Sequence, residues 1–154
     1  MKIGVFSDTH GDLRPLFSLR EKLGELDAVF HCGDFAEEAR DIGAFFHCPY
    51  YAVRGNCDYY SSEPLEKLVT LGGKTFLLLH GHTCMGEMSL AYKGQMAHAD
   101  AVLFGHSHVP YEYWHNGILL LNPGSLSRPR ALSKAGCVLL TIEDGNIRTQ
   151  RLEV

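Results

Sequence analysis

Aspartate, asparagine and histidine recur directly after apolar runs through the first two thirds of the chain. Five such runs end in a polar cluster, and in chain order these clusters are Asp8-Thr9-His10, Gly33-Asp34, Gly55-Asn56, His80-Gly81-His82 and Gly105-His106-Ser107-His108. One cluster alone is weak evidence, because a turn followed by a capped helix produces the same pattern. Five in succession favour a shared site, since ligands of open α/β sheets bind outside the carboxyl ends of the strands.

The side chains in these clusters have the chemistry of a metal site. Two carboxylates, one amide oxygen and four of the five imidazoles are more ligands than one tetrahedral zinc ion needs, and they suffice for two divalent ions that share a carboxylate. Oxygen and nitrogen ligands without thiolate suit Mn²⁺, Fe, Zn²⁺ or Ni²⁺ better than Mg²⁺ or Ca²⁺. Two ions about 3.5–4 Å apart can activate a bridging water and stabilise an in-line displacement at phosphorus. The residues therefore indicate hydrolysis of a phosphate ester.

The elements that would position these clusters alternate in type in the first half of the chain. The pattern there predicts strand 2–6, helix 13–23, strand 28–32, helix 36–46 and strand 50–54. Asp12 is the expected cap of the first helix. This βαβαβ order predicts parallel strands that are joined by right-handed crossovers.

The second half of the chain mixes strand types. It reads as strands at 74–79, 101–105, 111–115, 118–121, 136–142 and 146–154, with one helix over about 86–98. The inner face of that helix is expected to carry Met88, Ala91 and Tyr92. Asn116-Gly117 and Asp144-Gly145 are typical of hairpin turns, so the later strands should be partly antiparallel. Two packed sheets flanked by helices would bury this many apolar runs, which predicts an α/β fold.

Composition and charge narrow the class of protein. A chain of 154 residues, 45% hydrophobic and 21% charged, fits one ordered domain. The net charge of −4 argues against a nucleic-acid surface built on general basicity. No signal peptide or membrane span is evident, and five scattered cysteines without a C-x-x-C pair favour a reduced, cytoplasmic setting. We therefore expect a small phosphate-ester substrate, no nucleic acid and no membrane partner.

The ordered clusters together resemble the calcineurin-like metallophosphoesterases. The stretches GNCD (55–58) and NPGS (122–125) are similar to the compact bacterial and archaeal phosphodiesterases of that superfamily. The resemblance implies a single domain over residues 1–154, folded as a four-layer α-β-β-α sandwich with two mixed sheets. It also implies two divalent ions, with Mn²⁺ expected.

The resemblance also assigns the ligands. Asp8, His10 and His108 would bind one metal ion, and Asn56, His80 and His106 would bind the other. Asp34 would bridge the two together with a hydroxide, which would attack phosphorus in line. The implied function is a two-metal phosphodiesterase. Its alternatives are a phosphomonoesterase or nucleotide phosphatase of the same superfamily, and a non-catalytic interaction scaffold on this fold.

Four residues are candidates for contact with the reacting atoms, namely Asp34, Asn56, Cys57 and His82. Relatives that hydrolyse monoesters often carry histidine in place of Cys57, where it protonates the leaving oxygen. A thiol is a poor substitute, so Cys57 is either a small apolar filler beneath the site or a mark of substrates whose leaving group needs little protonation. His82 would contact the phosphate, donate a proton or serve only a structural role.

Some polar and aromatic residues remain open. Asp58 would orient neighbouring groups or simply form a turn. Ser125, in the NPGS turn, and Arg128 and Arg130 are weaker candidates for substrate contact. The aromatic strand 111–115 hints at a homo-oligomer contact.

Overall fold

Ten strands and three helices make up the computed structural model, which describes residues 1–154. In chain order they are β1 (Lys2–Phe6), α1 (Pro15–Leu23), β2 (Ala28–His31), α2 (Glu38–Phe46), β3 (Tyr50–Ala52), β4 (Glu66–Leu71), β5 (Lys74–Leu79), α3 (Glu87–Met96), β6 (Ala101–Leu103), β7 (Tyr111–His115), β8 (Ile118–Asn122), β9 (Gly136–Glu143) and β10 (Asn146–Glu153). None of the three helices combines the length and apolar character that crossing a membrane requires.

The strands form two mixed sheets of five strands each. The first has the order β10-β9-β1-β2-β3 and the second the order β4-β5-β6-β8-β7. Three neighbouring strands in each sheet are parallel, β1-β2-β3 in the first and β5-β6-β8 in the second. The hairpins are antiparallel, which confirms the predicted mixture of strand directions.

The sheets pack face to face, and helices cover their outer faces. Phe30 of the first sheet meets Phe76 of the second with ring centroids 5.3 Å apart, inside a cluster of buried side chains from both sheets. Helices α1 and α2 pack on the first sheet, and α3 packs on the second. The result is the predicted four-layer α-β-β-α sandwich. Strands covered on both faces explain the nearly continuous apolar runs in the sequence.

Two hairpin turns follow the prediction closely. Asn116 and Gly117 have φ angles of 48° and 81°, and Asp144 and Gly145 have φ angles of 51° and 74°. Positive φ at both central residues is the geometry that Asn-Gly and Asp-Gly favour, because its twist matches that of the flanking strands. These turns fix the register of β7 with β8 and of β9 with β10.

Three local predictions were wrong. Helix α1 begins at Pro15 rather than at 13, and the Asp12 carboxylate instead accepts from the Arg14 backbone N–H at 3.0 Å. Strand β4 was not predicted; it lies at a sheet edge, where only Val69 is buried, so it lacks an apolar pattern. Helix α3 buries Leu90, Ala91 and Gly94, whereas Met88 and Tyr92 are 69% and 63% exposed.

The packing between the sheets predicts a matched pair of stability effects. Leu103 is fully buried in that layer and Leu132 is fully exposed. Leu103→Ala should lower the free energy of unfolding by about 2–5 kcal/mol, because it removes buried surface and leaves a cavity. Leu132→Ala should change it by less than about 0.5 kcal/mol. Urea denaturation of both variants measures the difference, and equal losses would contradict this packing.

Candidate metal centre

The carboxyl ends of the parallel strands from both sheets meet at one place. Asp8 follows β1, Asp34 follows β2, Asn56 follows β3, His80 follows β5, and His106 and His108 follow β6. Asp34 Oδ1 lies 3.4 Å from His80 Nε2, which joins the two sheets across the seam. The structure thus brings all seven ligands suggested by the sequence to one centre.

The first group of side chains is compact. Its members are Asp8, His10, Asp34 and His108, whose ligand atoms all lie within 4.8 Å of one another, so the group could hold a metal ion. His108 Nε2 lies 3.1 Å from Asp8 Oδ1 and 3.2 Å from His10 Nε2. His10 Nε2 lies 3.6 Å from Asp34 Oδ2.

Acceptor atoms face one another in this first group. His108 Nδ1 lies 2.7 Å from the Arg128 carbonyl, so a neutral ring donates its proton there and turns the lone pair of Nε2 toward Asp8. Asp8 Oδ1 is buried and accepts no hydrogen bond. A lone pair that faces a carboxylate oxygen is repulsive unless a cation or a proton lies between them. The residues therefore fit a cation.

A second group repeats this arrangement around Asn56. Asn56 Oδ1 lies 3.1 Å from His80 Nε2 and 3.0 Å from His106 Nδ1. His80 Nδ1 donates to the Cys32 carbonyl at 2.7 Å, which directs Nε2 at the oxygens of Asn56 and Asp34. Asp34 directs Oδ1 toward this group and Oδ2 toward the first. A carboxylate shared by two cations would have this orientation.

The pKa values reflect how closely these charges are packed. Burial opposes ionisation of Asp34, but hydrogen bonds from His80 and from the Cys57 backbone N–H keep the pKa of Asp34 well below its usual range. Burial raises the pKa of Asp8, and the neighbouring histidines only partly offset this rise. His80 shows the reverse balance, because its contacts with Asp34 and Asp8 outweigh burial and raise its pKa. The centre attracts positive charge.

Left-handed backbone geometry places most of these side chains. Five of the seven residues have positive φ angles, which are Asp8 (54°), His10 (47°), Asp34 (57°), His106 (67°) and His108 (58°). Aspartate, asparagine and histidine tolerate this region better than other residues with a side chain, although the conformation is strained. The chain turns sharply at each strand end, and the turn directs the side chain along the rim of the sheet.

Asp58 holds two of the loops together. Its Oδ1 accepts from the Phe35 and Ala36 backbone N–H groups at 2.7 and 3.1 Å, and its Oδ2 accepts from Gly55 N–H at 2.7 Å. In return, Asp34 Oδ1 accepts from the Cys57 backbone N–H at 2.9 Å. This set of reciprocal hydrogen bonds, called the Asp58 clasp below, fixes the loop that carries Asp34. Asp58 therefore orients its neighbours, beyond forming a turn.

Gly55 is required in the clasp for a steric reason. A Cβ atom at this position would lie 2.2 Å from Asp34 Oδ1 and 2.6 Å from the Asp34 backbone nitrogen. No side chain fits between the two loops. The glycine of GNCD therefore allows the close approach on which the position of Asp34 depends.

Cys57 lies at the rim of the centre. Its side chain is exposed, so the expectation of an apolar filler beneath the site was wrong. Partial burial and the nearby Asp34 carboxylate raise the pKa of Cys57 to about 11. Cys57 is therefore a thiol near neutral pH and is unsuited to act as a thiolate nucleophile.

His82 and Arg54 approach the second group from the side. The His82 ring lies 5.4 Å from that of His80 and 6.2 Å from that of His106, between centroids. His82 Nδ1 and Arg54 Nε are both buried without a hydrogen-bond partner. Burial, together with the proximity of His80, His106 and Arg54, lowers the pKa of His82. Sequence reasoning missed Arg54, although it directly precedes the GNCD stretch.

Residues of the NPGS stretch (122–125) form hydrogen bonds with the backbone of two loops that carry the centre. Ser125 is fully buried; its hydroxyl donates to the Asp8 carbonyl at 2.7 Å and accepts from Arg128 N–H at 2.8 Å. Asn122, also buried, donates to the Gly105 carbonyl at 2.7 Å. Ser125 is thus occupied within the protein, whereas the side chains of Arg128 and Arg130 are exposed. This is a sixth polar cluster at a strand end, after β8, and sequence reasoning read it mainly as a turn.

Comparison with known proteins places these features in a family. A family model described as the calcineurin-like phosphoesterase superfamily domain matches residues 1–145. A probable metallophosphoesterase of Bacillus subtilis is 33% identical over 148 residues, covering 94% of this chain and 86% of its own. A phosphodiesterase of Methanocaldococcus jannaschii is 28% identical over 145 residues, covering 80% of this chain and 83% of its own.

Solved structures agree with this family match. The crystal structure of a conserved protein of Streptococcus pneumoniae, described as a predicted phosphoesterase, has a TM-score of 0.79 at 33% identity and covers 96% of this chain and 86% of its own. Vps29 of Entamoeba histolytica complexed with zinc has a TM-score of 0.79 at 22% identity and covers 99% and 98% of the two chains. At that identity the Vps29 likeness shows the fold alone.

The Asp58 clasp predicts a loss of stability for Asp58→Asn. The amide has a single oxygen for three backbone donors and carries no charge, so the free energy of unfolding should fall by about 1–3 kcal/mol. Asp41→Asn, on the exposed face of α2, is the matched control and should change it by less than about 0.5 kcal/mol. Urea unfolding of the metal-free proteins tests this. Equal stability of Asp58→Asn and the original chain would show that the clasp does not stabilise the fold.

Proposed function

The chain belongs to the calcineurin-like phosphoesterase superfamily, and on that premise we propose that it is a two-metal phosphodiesterase acting on a small phosphodiester. The observation that carries the proposal is the convergence of imidazole nitrogens and oxygens in two adjacent groups, one around Asp8 Oδ1, which is buried and accepts no hydrogen bond, and one around Asn56 Oδ1. Asp34 contributes one oxygen to each group.

Seven residues would hold the two cations. Asp8, His10 and His108 would bind the first, Asn56, His80 and His106 would bind the second, and Asp34 would bridge them. When bound, two divalent cations lower the pKa of a water molecule between them and offset the charge of the transferring phosphoryl group. The mixed oxygen and nitrogen donors, without thiolate, suit Mn²⁺, Fe, Zn²⁺ or Ni²⁺. Among these we propose Mn²⁺, which the family resemblance implies.

The chain's own residues orient the reacting groups. The carbonyls of Cys32 and Arg128 fix the rings of His80 and His108, and the Asp58 clasp fixes Asp34. His82 Nδ1 and Arg54 Nε are buried polar atoms without partners beside the second group. Both side chains are partly exposed, and we assign them to contact with the non-bridging oxygens of the substrate phosphate, because imidazole and guanidinium groups can donate to an oxyanion.

The preference for diesters rests on Cys57. A neutral thiol at the rim is a weak donor for a departing alkoxide, whereas a diester with an activated leaving group does not need one. The relative from M. jannaschii is named a phosphodiesterase, which agrees with this preference.

Five free cysteines support a reducing, cytoplasmic setting. The net charge of −4 speaks against nucleic acid as substrate.

Metal dependence is tested on the bridging carboxylate. The purified protein should bind two divalent ions per chain and hydrolyse bis-p-nitrophenyl phosphate when Mn²⁺ is added. Asp34→Asn should lower kcat/KM at least about 100-fold, since changes one shell further out already cost roughly 10–100-fold in metal sites. Asp144→Asn in the β9–β10 turn is the matched control and should keep full activity. No bound metal and no turnover with any divalent ion would remove the proposal.

The role of Cys57 is tested by substitution with histidine. Cys57→His adds a general acid at the rim, so the ratio of alkyl-monoester to bis-p-nitrophenyl phosphate hydrolysis should rise about tenfold or more, given that such acids contribute roughly 100-fold or more. Cys57→Ser, which adds no comparable acid, should leave the ratio within about twofold of the original. An unchanged ratio in Cys57→His would show that this position does not set the preference.

A further inference from the structure

A cavity of about 240 Å³ opens beside the second group of the metal centre. His106 forms part of its wall, and the same ring lies 3.0 Å from Asn56 Oδ1 through Nδ1. The remaining wall is largely apolar, from Leu90, Phe104, Val109, Pro110 and Tyr111. This feature, called the Leu90 cavity below, is built from the segments that follow β5 and β6, and therefore from the second sheet alone.

We propose that the Leu90 cavity binds an uncharged aryl or alkyl group that is esterified to the substrate phosphorus. The inference rests on the proposed function and names the kind of diester that the centre accepts. Because His106 belongs both to the cavity wall and to the second group, a phosphate held there would place one ester arm at the cavity mouth.

The size of the cavity suits one aromatic ring. An apolar cavity of about 150 Å³ is enough to admit benzene in a protein core, so a volume of 240 Å³ accommodates a substituted phenyl group. Leu90 is buried and Phe104 nearly so, and they would provide the apolar floor. Contact with such surfaces stabilises an apolar arm by removing it from water.

The charges in the cavity select against anionic arms. Glu87 is the single carboxylate in the wall, and the wall contains no lysine or arginine. Burial and the nearby Glu87 carboxylate raise the pKa of Tyr111 to about 12, so the phenol stays neutral. An arm that carries a further phosphate, as in an oligonucleotide, would meet Glu87 without a compensating cation. A neutral arm avoids that repulsion.

A second cavity beside the centre offers a place for the other organic arm of a diester. It has a volume of about 360 Å³ and is formed by segments that follow β2 and β3 of the first sheet, with Cys57 in its wall. Its wall contains one cation, Arg40, and four carboxylates, which make it more acidic than the Leu90 cavity; these are Glu37, Glu38, Asp41 and Asp58. The metal centre is therefore bordered by one cavity from each sheet. A phosphodiester has two organic arms to place, whereas a monoester has one.

A pair of diesters with a common leaving group tests the proposal. With Mn²⁺, kcat/KM for p-nitrophenyl phenyl phosphate should exceed that for p-nitrophenyl methyl phosphate by about tenfold or more, since one methylene in an apolar pocket already changes kcat/KM roughly tenfold. Val109→Trp fills the cavity and should remove this preference. Val154→Trp, at the exposed C-terminus, is the matched control and should preserve it. Metal content and melting temperature are measured for each variant.

Leu90→Ala provides a second variant, with the opposite effect. The enlarged cavity should shift the preference from a phenyl arm to a naphthyl arm. A direct binding measurement needs neither metal nor turnover: phenol titrated into methyl-labelled, metal-free protein should shift the Leu90 and Val109 methyl resonances. The Leu90 shift should disappear in Val109→Trp and persist in Val154→Trp.

The outcomes separate this inference from the proposed function. If neither diester is hydrolysed with any divalent ion, the proposed function fails, and the assignment of an ester arm to the cavity fails with it. If both diesters are hydrolysed at equal kcat/KM and phenol leaves the Leu90 methyls unchanged, the function stands and the cavity assignment is overturned. A phenyl preference that survives in Val109→Trp also overturns it.

Discussion

Two buried carboxylates that no lysine or arginine neutralises are the constraint on which the rest of the structure depends. Asp8 and Asp34 are 0% and 3% exposed, and only histidines lie within ion-pairing distance of them. An uncompensated buried charge is destabilising by roughly several kcal/mol. The surrounding groups reduce this penalty in part: Ser7 donates to Asp8, Cys57 N–H donates to Asp34, and both carboxylates draw protons toward His80. On the proposed function, bound metal ions would supply the remaining positive charge.

This constraint explains why so much backbone is strained at one place. Five left-handed residues at strand ends would each raise the free energy of the fold if they stood alone. They persist because hydrogen bonds from neighbouring loops define their positions. The Asp58 clasp fixes the segment of Asp34, Ser125 binds the Asp8 carbonyl, and Asn122 binds the Gly105 carbonyl. The stability that the two-sheet core provides thus offsets the strain of an arrangement of side chains that could hold a metal ion.

The sequence predicted the parts of the molecule that follow from periodicity and from strand ends. Nine of the ten strands were predicted, most of them from apolar runs and two, β7 and β10, from the hairpin turns beside them, and all five polar clusters meet where parallel strands of the two sheets end. Features that depend on tertiary contacts could not be predicted from the sequence. Edge strand β4 buries only Val69, and the short helix α3 has no strong amphipathic pattern, so its inner face was misassigned to Met88 and Tyr92. The exposure of Cys57 follows from the way its loop bends around Asp34, which spacing alone does not reveal.

The division of the site between two sheets bears on how far the proposed reaction would proceed. Cleavage of one ester bond converts a diester into a monoester, which carries more charge and retains one organic arm. The second cleavage would expel a poorer leaving group, and the thiol at the rim offers it little protonation. The same step empties one of the two bordering cavities, so the product loses part of the contact that positioned the substrate. Both effects slow hydrolysis of the monoester. On the proposed function, the monoester is therefore the released product rather than an intermediate.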